Sequence, residues 1–378
     1  MTALHGEAAK TVTDAGARRL PALAAFSLFL STLEYMIPKP LPFIRLGLAN
    51  APLLIALGLP PYSFFPLVFV KILGQAFISG TLFSYIFLLS LSGTALSASA
   101  MYLLRRAVPE KYMGLTGISI TGALVSNITQ IALARFFFLG PGAIYIAPPL
   151  LATGLVSGGA LGLFCQHFTA KSRWYNGIPA ENSDYAANSA GAEPAPAESG
   201  AAESGTGSGK VPLLDTDRLP PAPLFAAGLL LSAVMLFAAS PLIRLALFLV
   251  FLLAAFVTGK AGNILFTFVF FALIVFFNAL APYGRIIFRV GVFRLTEGAL
   301  LQGMGKASAV EGLVMLSRVT VSPRLRLPGR AGGLLAEAFT LLGRLLEKKK
   351  TIHAKTFISD IDRLLAEIAP VGASGHPT

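Results

Sequence analysis

The chain has 378 residues, of which 55% are hydrophobic and only 13% charged, with a mean hydropathy of +0.72. Soluble domains carry about 25% charged residues, so the composition excludes an ordinary soluble domain and points to an all-α, polytopic membrane helical bundle. The net charge of +12 fits Lys- and Arg-rich cytoplasmic loops beside an anionic leaflet. Nucleic acid is the lesser explanation, because there is no compact basic and aromatic module. One cysteine, Cys165, excludes an internal disulfide.

Residues 1–19 read as a polar tail. Arg18 and Arg19 precede an apolar run, but no small-residue cleavage site and soluble domain follow, so the run reads as a first membrane helix from about Leu20 to Ile37. Pro38, Pro40 and Pro42 then forbid regular helix and predict an extended loop at one membrane face. Further spans are expected at Leu46 to Leu59, Phe64 to Ser79, Phe83 to Leu104, Met113 to Leu139 and Ile144 to Phe168. Residues 20–175 thus form a six-span first module.

The fifth span is the informative one. At about 100° per residue, Thr116, Ser119, Ala123, Ser126, Asn127, Gln130 and Ala134 share one arc of a helix. Polar groups in hydrocarbon are costly unless partnered, so this stripe is a candidate substrate wall. The plainer alternative is helix packing, since small and hydroxyl residues also let membrane helices approach closely. With the N-terminus inside, Arg18, Arg19, Arg105, Arg106, Lys111, Lys171 and Arg173 all fall on the cytoplasmic side, and Lys39 and Arg45 fall outside. That outer pair suits either an anionic ligand or an ordinary loop with snorkelling side chains.

Residues 176–222 change to Ala, Gly, Ser, Glu and Pro and read as a flexible linker. Residues 223–322 form a second membrane module. Leu224 to Ala239, Leu242 to Val257 and Ile264 to Leu280 are strongly apolar, while Leu295 to Val321 carries Glu297, Gln302, Lys306, Glu311 and Arg318 and is too polar to face lipid all round. Residues 323–378 are a cytoplasmic tail. Leu334, Leu335, Ala338, Phe339, Leu341, Leu342, Leu345 and Leu346 recur at helical spacing among charges, and a second helix is expected at about Asp360 to Ile368, with Ser359 as a cap. Such helices bind a partner groove or lie on a membrane surface.

The search for chemistry is mostly negative. His5, His167, His353 and His376 are not spaced for a metal, and no aspartate-rich magnesium and diphosphate motif is present. Gly303 to Ser308 looks like the end of a phosphate loop, but position 300 is Leu where that motif needs Gly. No catalytic residue, metal or directly bound cofactor is expected.

The stretches EYMIPKPLPFIRLGLAN (Glu34 to Asn50), FVKILGQAFISGTLFS (Phe69 to Ser84) and GISITGALVSNITQIALARFFF (Gly117 to Phe138) resemble the Gx transporter family, also labelled heptaprenyl diphosphate synthase component I. Its members look like the substrate-binding S components of energy-coupling factor transporters. Relatives often carry His-Asn-x-x-Gln in the fifth span, where this chain has Ser126, Asn127 and Gln130. The second module resembles the T component of the same transporters, although the tail has no clear Ala-Arg-Gly motif for docking ATPases. The resemblance implies a multi-pass importer subunit of the cytoplasmic inner membrane, both termini cytoplasmic, coupled to separate ABC-type ATPases that hydrolyse the ATP. A small solute would be bound by Asn127 and Gln130, with Arg135, Arg45 and Lys71 attracting it and Asn50 and Glu34 framing the outer loop. Glu337, Leu341, Arg344, Leu345 and Lys355 are the expected partner-binding positions of the tail. Two other readings stay open: a membrane accessory subunit of a polyprenyl diphosphate synthase, and a scaffold without ligand.

Overall fold

The computed structural model describes residues 20–35, 47–176, 220–290, 293–321, 329–349 and 356–368. Arg45, Lys355, the proline loop at 38–42, the polar tail and linker residues 177–219 lie outside the described residues.

The first module is built around helix α1, Leu20–Tyr35. Ala22, Ala24, Ala25, Phe26, Leu28 and Phe29 are all fully buried, so this apolar helix is enclosed on every side. Ser27 Oγ donates to the Ala49 carbonyl at 2.7 Å, and Phe26 packs on Phe168. The segment after it is a broken helical stretch, Leu48–Gly58, with one regular turn, α2, at Ala51–Ile55. A single crossing was expected over Leu46 to Leu59. At 1.5 Å per residue this stretch is too short to cross a bilayer, which needs roughly 20 residues, and it packs as a short broken piece inside the bundle.

Helices α3 (Pro61–Ser79), α4 (Tyr85–Ala107), α5 (Leu115–Ala134) and α6 (Ala143–Lys171) follow. Three helical stretches among the described residues are long and apolar enough to cross a membrane: Pro61–Ser79, Tyr85–Ala107 and Leu115–Lys171. The third folds back on itself. A π turn at Arg135–Leu139 and a tight turn at Gly140–Gly142 reverse the chain, and Gly140 takes φ 58°, which favours glycine. Helices α5 and α6 therefore run antiparallel. Thr116 lies against Gly162, Ser119 against Gly158 and Asn127 against Gly154, and a Cβ at any of these three glycines would meet α5 atoms within 3.0 Å. Their absent side chains let the two backbones close. A short helix, α7, follows at Arg173–Asn176.

The second module contains α8 (Pro221–Phe237), α9 (Pro241–Val257) and α10 (Ile264–Ala279), then a hairpin of β1 (Ile286–Val290) and β2 (Phe293–Thr296), then α11 (Glu297–Thr320). Proline starts α8 and α9 at their first helical position, and Asn263 caps α10 by accepting from the Phe266 amide. Helix α11 packs on α8, α9 and α10, which resolves its polar sequence. Thr267 donates to Glu311, Lys306 donates to Asn278 Oδ1 at 3.1 Å, and Arg318 donates to the Ala261 carbonyl at 2.8 Å. Lys306, Glu311 and Arg318 are thus engaged inside the module, while Glu297 and Gln302 stay exposed. The antiparallel hairpin was not expected from the sequence.

The modules meet where the α5–α6 turn packs against α10 and α11. Asn278 Nδ2 donates to the Phe138 carbonyl at 2.7 Å, and Ser317 Oγ accepts from the Phe83 amide at 3.3 Å. Finally, α12 (Gly329–Glu347) and α13 (Phe357–Ile368) turn back onto the first module. Leu335, Ala338, Leu342, Leu345, Ile361, Leu364 and Leu365 join the same core as α1.

Candidate functional site

The polar stripe of α5 divides between two tasks. Toward α6 it is glue: Ser119 Oγ donates to the Gly158 carbonyl at 2.7 Å, Asn127 Nδ2 to the Leu150 carbonyl at 2.7 Å, and Thr116 Oγ1 to Gln166 Oε1 at 3.4 Å. Toward the bundle interior, Ser119, Ala123, Ser126, Asn127 and Gln130 form one wall of a polar chamber. Gln130 Nε2 donates to Ser126 Oγ at 2.8 Å.

The opposite walls come from α1, the Leu48–Gly58 stretch, α3 and α4. Glu34 lies at the end of α1, 5% exposed, and accepts the Leu48 amide at 3.0 Å, which ties the Leu48–Gly58 stretch to the central helix. Lys71 of α3 is 4% exposed and donates to Asn50 Oδ1 at 3.0 Å and Thr94 Oγ1 at 3.2 Å. A buried ammonium needs such partners, because removing a charge from water is expensive. The space between these walls, open mouth included, is about 660 Å³.

Of the residues expected at the site, Glu34, Asn50, Lys71, Asn127 and Gln130 all line this chamber, although they come from four separate parts of the chain. Arg135 does not join them. It sits exposed in the π turn, about 140° around the helix from Gln130 at 100° per residue. Gln75 and Thr94 line the chamber without having been expected. The signal for Gln75 was present in the sequence: an amide four residues after Lys71 on the same face of an otherwise apolar helix. Its Oε1 is buried with no hydrogen-bond partner among the described residues, an arrangement that costs about 1–3 kcal/mol when left unsatisfied.

Beside the polar chamber lies an apolar cavity between α4, α5, α6 and α10, about 750 Å³ with its opening included. Gln130 lines both, and among the described residues it is the one polar side chain around the second.

On the tail, Glu337 and Arg344 are exposed, Leu341 is half-buried and Leu345 is buried against the first module. The face open to a partner is therefore the charged one. Asp362 of α13 accepts from Ser172 Oγ, from the Arg173 amide at 3.0 Å and from the Trp174 amide at 3.1 Å, closing the tail onto the start of α7. Among the described residues, no three His, Cys, Asp or Glu side chains are grouped to hold a metal. The chamber lining offers hydroxyls, amides, one carboxylate and one ammonium, with neither His nor Cys. It is equipped to hold a polar molecule by hydrogen bonds.

Residues 23–168 match the family model described as heptaprenyl diphosphate synthase component I, and residues 223–322 match one described as a domain of unknown function, DUF8519. No curated protein and no solved structure matches the chain. The first match contains every residue lining the polar chamber and the second covers nearly all of α8 to α11, so the chain joins a membrane bundle similar to component I to a second helical module that matches a different family model.

Proposed function

We propose that the chain is a non-catalytic membrane subunit that binds a small polar group inside its first module and serves as the accessory partner of a prenyl diphosphate synthase. The observation that carries this reading is the polar chamber, closed around buried Lys71 within the residues that match component I. Binding uses Asn127 and Gln130 on one wall and Asn50, Lys71 and Glu34 on the other. The described lining residues include no nucleophile paired with a base, and the sequence has no aspartate-rich motif, so on this reading isoprenoid bond formation belongs to the partner. The exposed charges of α12, including Glu337 and Arg344, form the partner-facing surface of the tail.

A second reading, a solute importer driven by separate ATPases, draws on the two-module layout. A ligand chamber in one bundle is bonded directly to a second membrane bundle through Asn278 and Phe138, an arrangement that would transmit motion between them. One experiment separates the two. The tagged chain is purified from its native membrane and its companions are identified by mass spectrometry. Recovery of a soluble protein with two aspartate-rich motifs supports the accessory subunit; recovery of ABC-type ATPases without it overturns that reading in favour of the importer.

A further inference from the structure

The polar chamber and the apolar cavity share a wall one side chain thick. Gln130 borders both, held by its bond to Ser126 and resting against Gly93, where a Cβ would lie 3.0 Å from Gln130 Nε2. Leu150 repeats the arrangement, its carbonyl accepting from Asn127 on the polar side while the residue lines the apolar side. Beyond Gln130 the cavity is walled by Ile131, Phe138 and Ile146 and closed by Phe270 and Ile274 of α10. Such a cavity offers water too few partners to hold it, and hydrocarbon suits it.

We propose that the two spaces form one site for a single-chain amphiphile with an uncharged, hydrogen-bonding head, the head lying in the polar chamber against Gln75 and the tail passing Gln130 to reach α10. The inference rests on the reading of the polar chamber as a ligand site. Two observations fix the head. Among the described lining residues the charged groups are Glu34, which accepts the Leu48 amide, and Lys71, which donates to Asn50 and Thr94, so the described lining carries no net charge to set against a multiply ionised group. Gln75 Oε1 is a buried acceptor with no partner among the described residues. A hydroxyl or amide head donates to it, whereas an ionised diphosphate offers only acceptors. The tail end touches α10, so occupancy is felt by the second module as well as the first.

The test uses the full chain in lipid nanodiscs and photoreactive probes with a diazirine at the tail end: farnesol, a straight-chain alcohol of equal length, farnesyl diphosphate, and the farnesyl hydrocarbon without a head. Both alcohols, or the better of the two, should label the α10 peptide at least about tenfold more than the diphosphate or the headless chain, about 1.4 kcal/mol. The more efficient tail identifies an isoprenoid or a fatty source. Ala134→Phe, which fills the cavity, should abolish that labelling. Gln75→Leu, on the head side and away from the cavity, should weaken it as well, and it serves if the first variant does not fold. Equal labelling by the diphosphate or by the headless chain overturns the proposal, as does labelling that survives both substitutions. If every tailed probe fails while the chain still co-purifies with a prenyl diphosphate synthase, this inference falls and the proposed function stands. Alcohol labelling without a synthase among the companions has the opposite meaning.

Discussion

Gly154 carries the position of Asn127. A Cβ there would lie 2.2 Å from Asn127 Nδ2, so even Gly154→Ala forces the amide away from the Leu150 carbonyl and out of its place in the chamber wall. Overpacking of this kind costs about 1–3 kcal/mol. Gly159, one turn further along the same helix, has nothing nearer than 3.9 Å around its own Cβ position. Gly159→Ala should be neutral or stabilising by up to about 1 kcal/mol, because alanine is the better helix former. Denaturant titration of both variants in detergent checks the pair, and equal stabilities would mean that Asn127 is not held as described. Gln75 supplies the complementary case. Replacing an unsatisfied buried amide by an apolar side chain of similar shape removes its desolvation penalty. Gln75→Leu should therefore raise the stability of the ligand-free protein by about 1 kcal/mol, read in the same titration.

At the scale of elements, the tail helices are the clearest case of a pattern whose meaning depends on its partner. The apolar spacing of α12 and α13 announces that one face is covered, and the cover is the first module of the same chain. Asp362 fixes that docking with bonds to Ser172 and to two backbone amides of α7. Asp362→Ala removes a charge-assisted cluster worth about 1.5–3 kcal/mol. Hydrogen exchange over residues 357–368 and 172–176 should accelerate by roughly 10–100-fold, while exchange in α5 and α6 stays as it was; unchanged exchange in the tail would mean that apolar packing alone holds it.

The helices were legible because hydrophobic periodicity writes them into the sequence, and so was the α5 stripe, whose Asn127 and Gln130 face the chamber that Glu34, Asn50 and Lys71 complete. Three features were not legible, each for a physical reason. The stretch Leu48–Gly58 is apolar enough for a span but has only the length to fill a gap between helices. The β1–β2 hairpin lies in a basic segment next to a polar helix, where its β-branched residues gave no clean alternation. Gln75 shares a helix face with Lys71, but that spacing only says that the two go together; nothing in the sequence of α3 says that their side of the helix faces a void.

The whole molecule depends on how closely α10 seats against the α5–α6 turn. Gly142 decides this, because a Cβ there would fall 2.2 Å from the Phe277 carbonyl oxygen, a backbone atom that cannot swing aside. Next to it, Asn278 bridges the modules by donating to Phe138 while accepting from Lys306, so the contact that joins the two bundles also satisfies a charge on α11. Gly142→Val should push α10 off the turn and open the apolar cavity that both modules wall. Each module has its own buried core, one around α1 and one around α11, so losing the contact should uncouple them instead of unfolding both. Thermal unfolding followed by calorimetry should then resolve two transitions in the variant where the parent gives one, with the lower transition assigned to the second module by the exposure of a cysteine introduced at Ala255. Asn278→Leu, which keeps the volume but removes both bonds, should produce a weaker form of the same split, of about 1–3 kcal/mol. A single transition in both variants would show that the modules are held together by the Phe83 and Ser317 end of the interface, and that the α5–α6 turn merely rests against its neighbour.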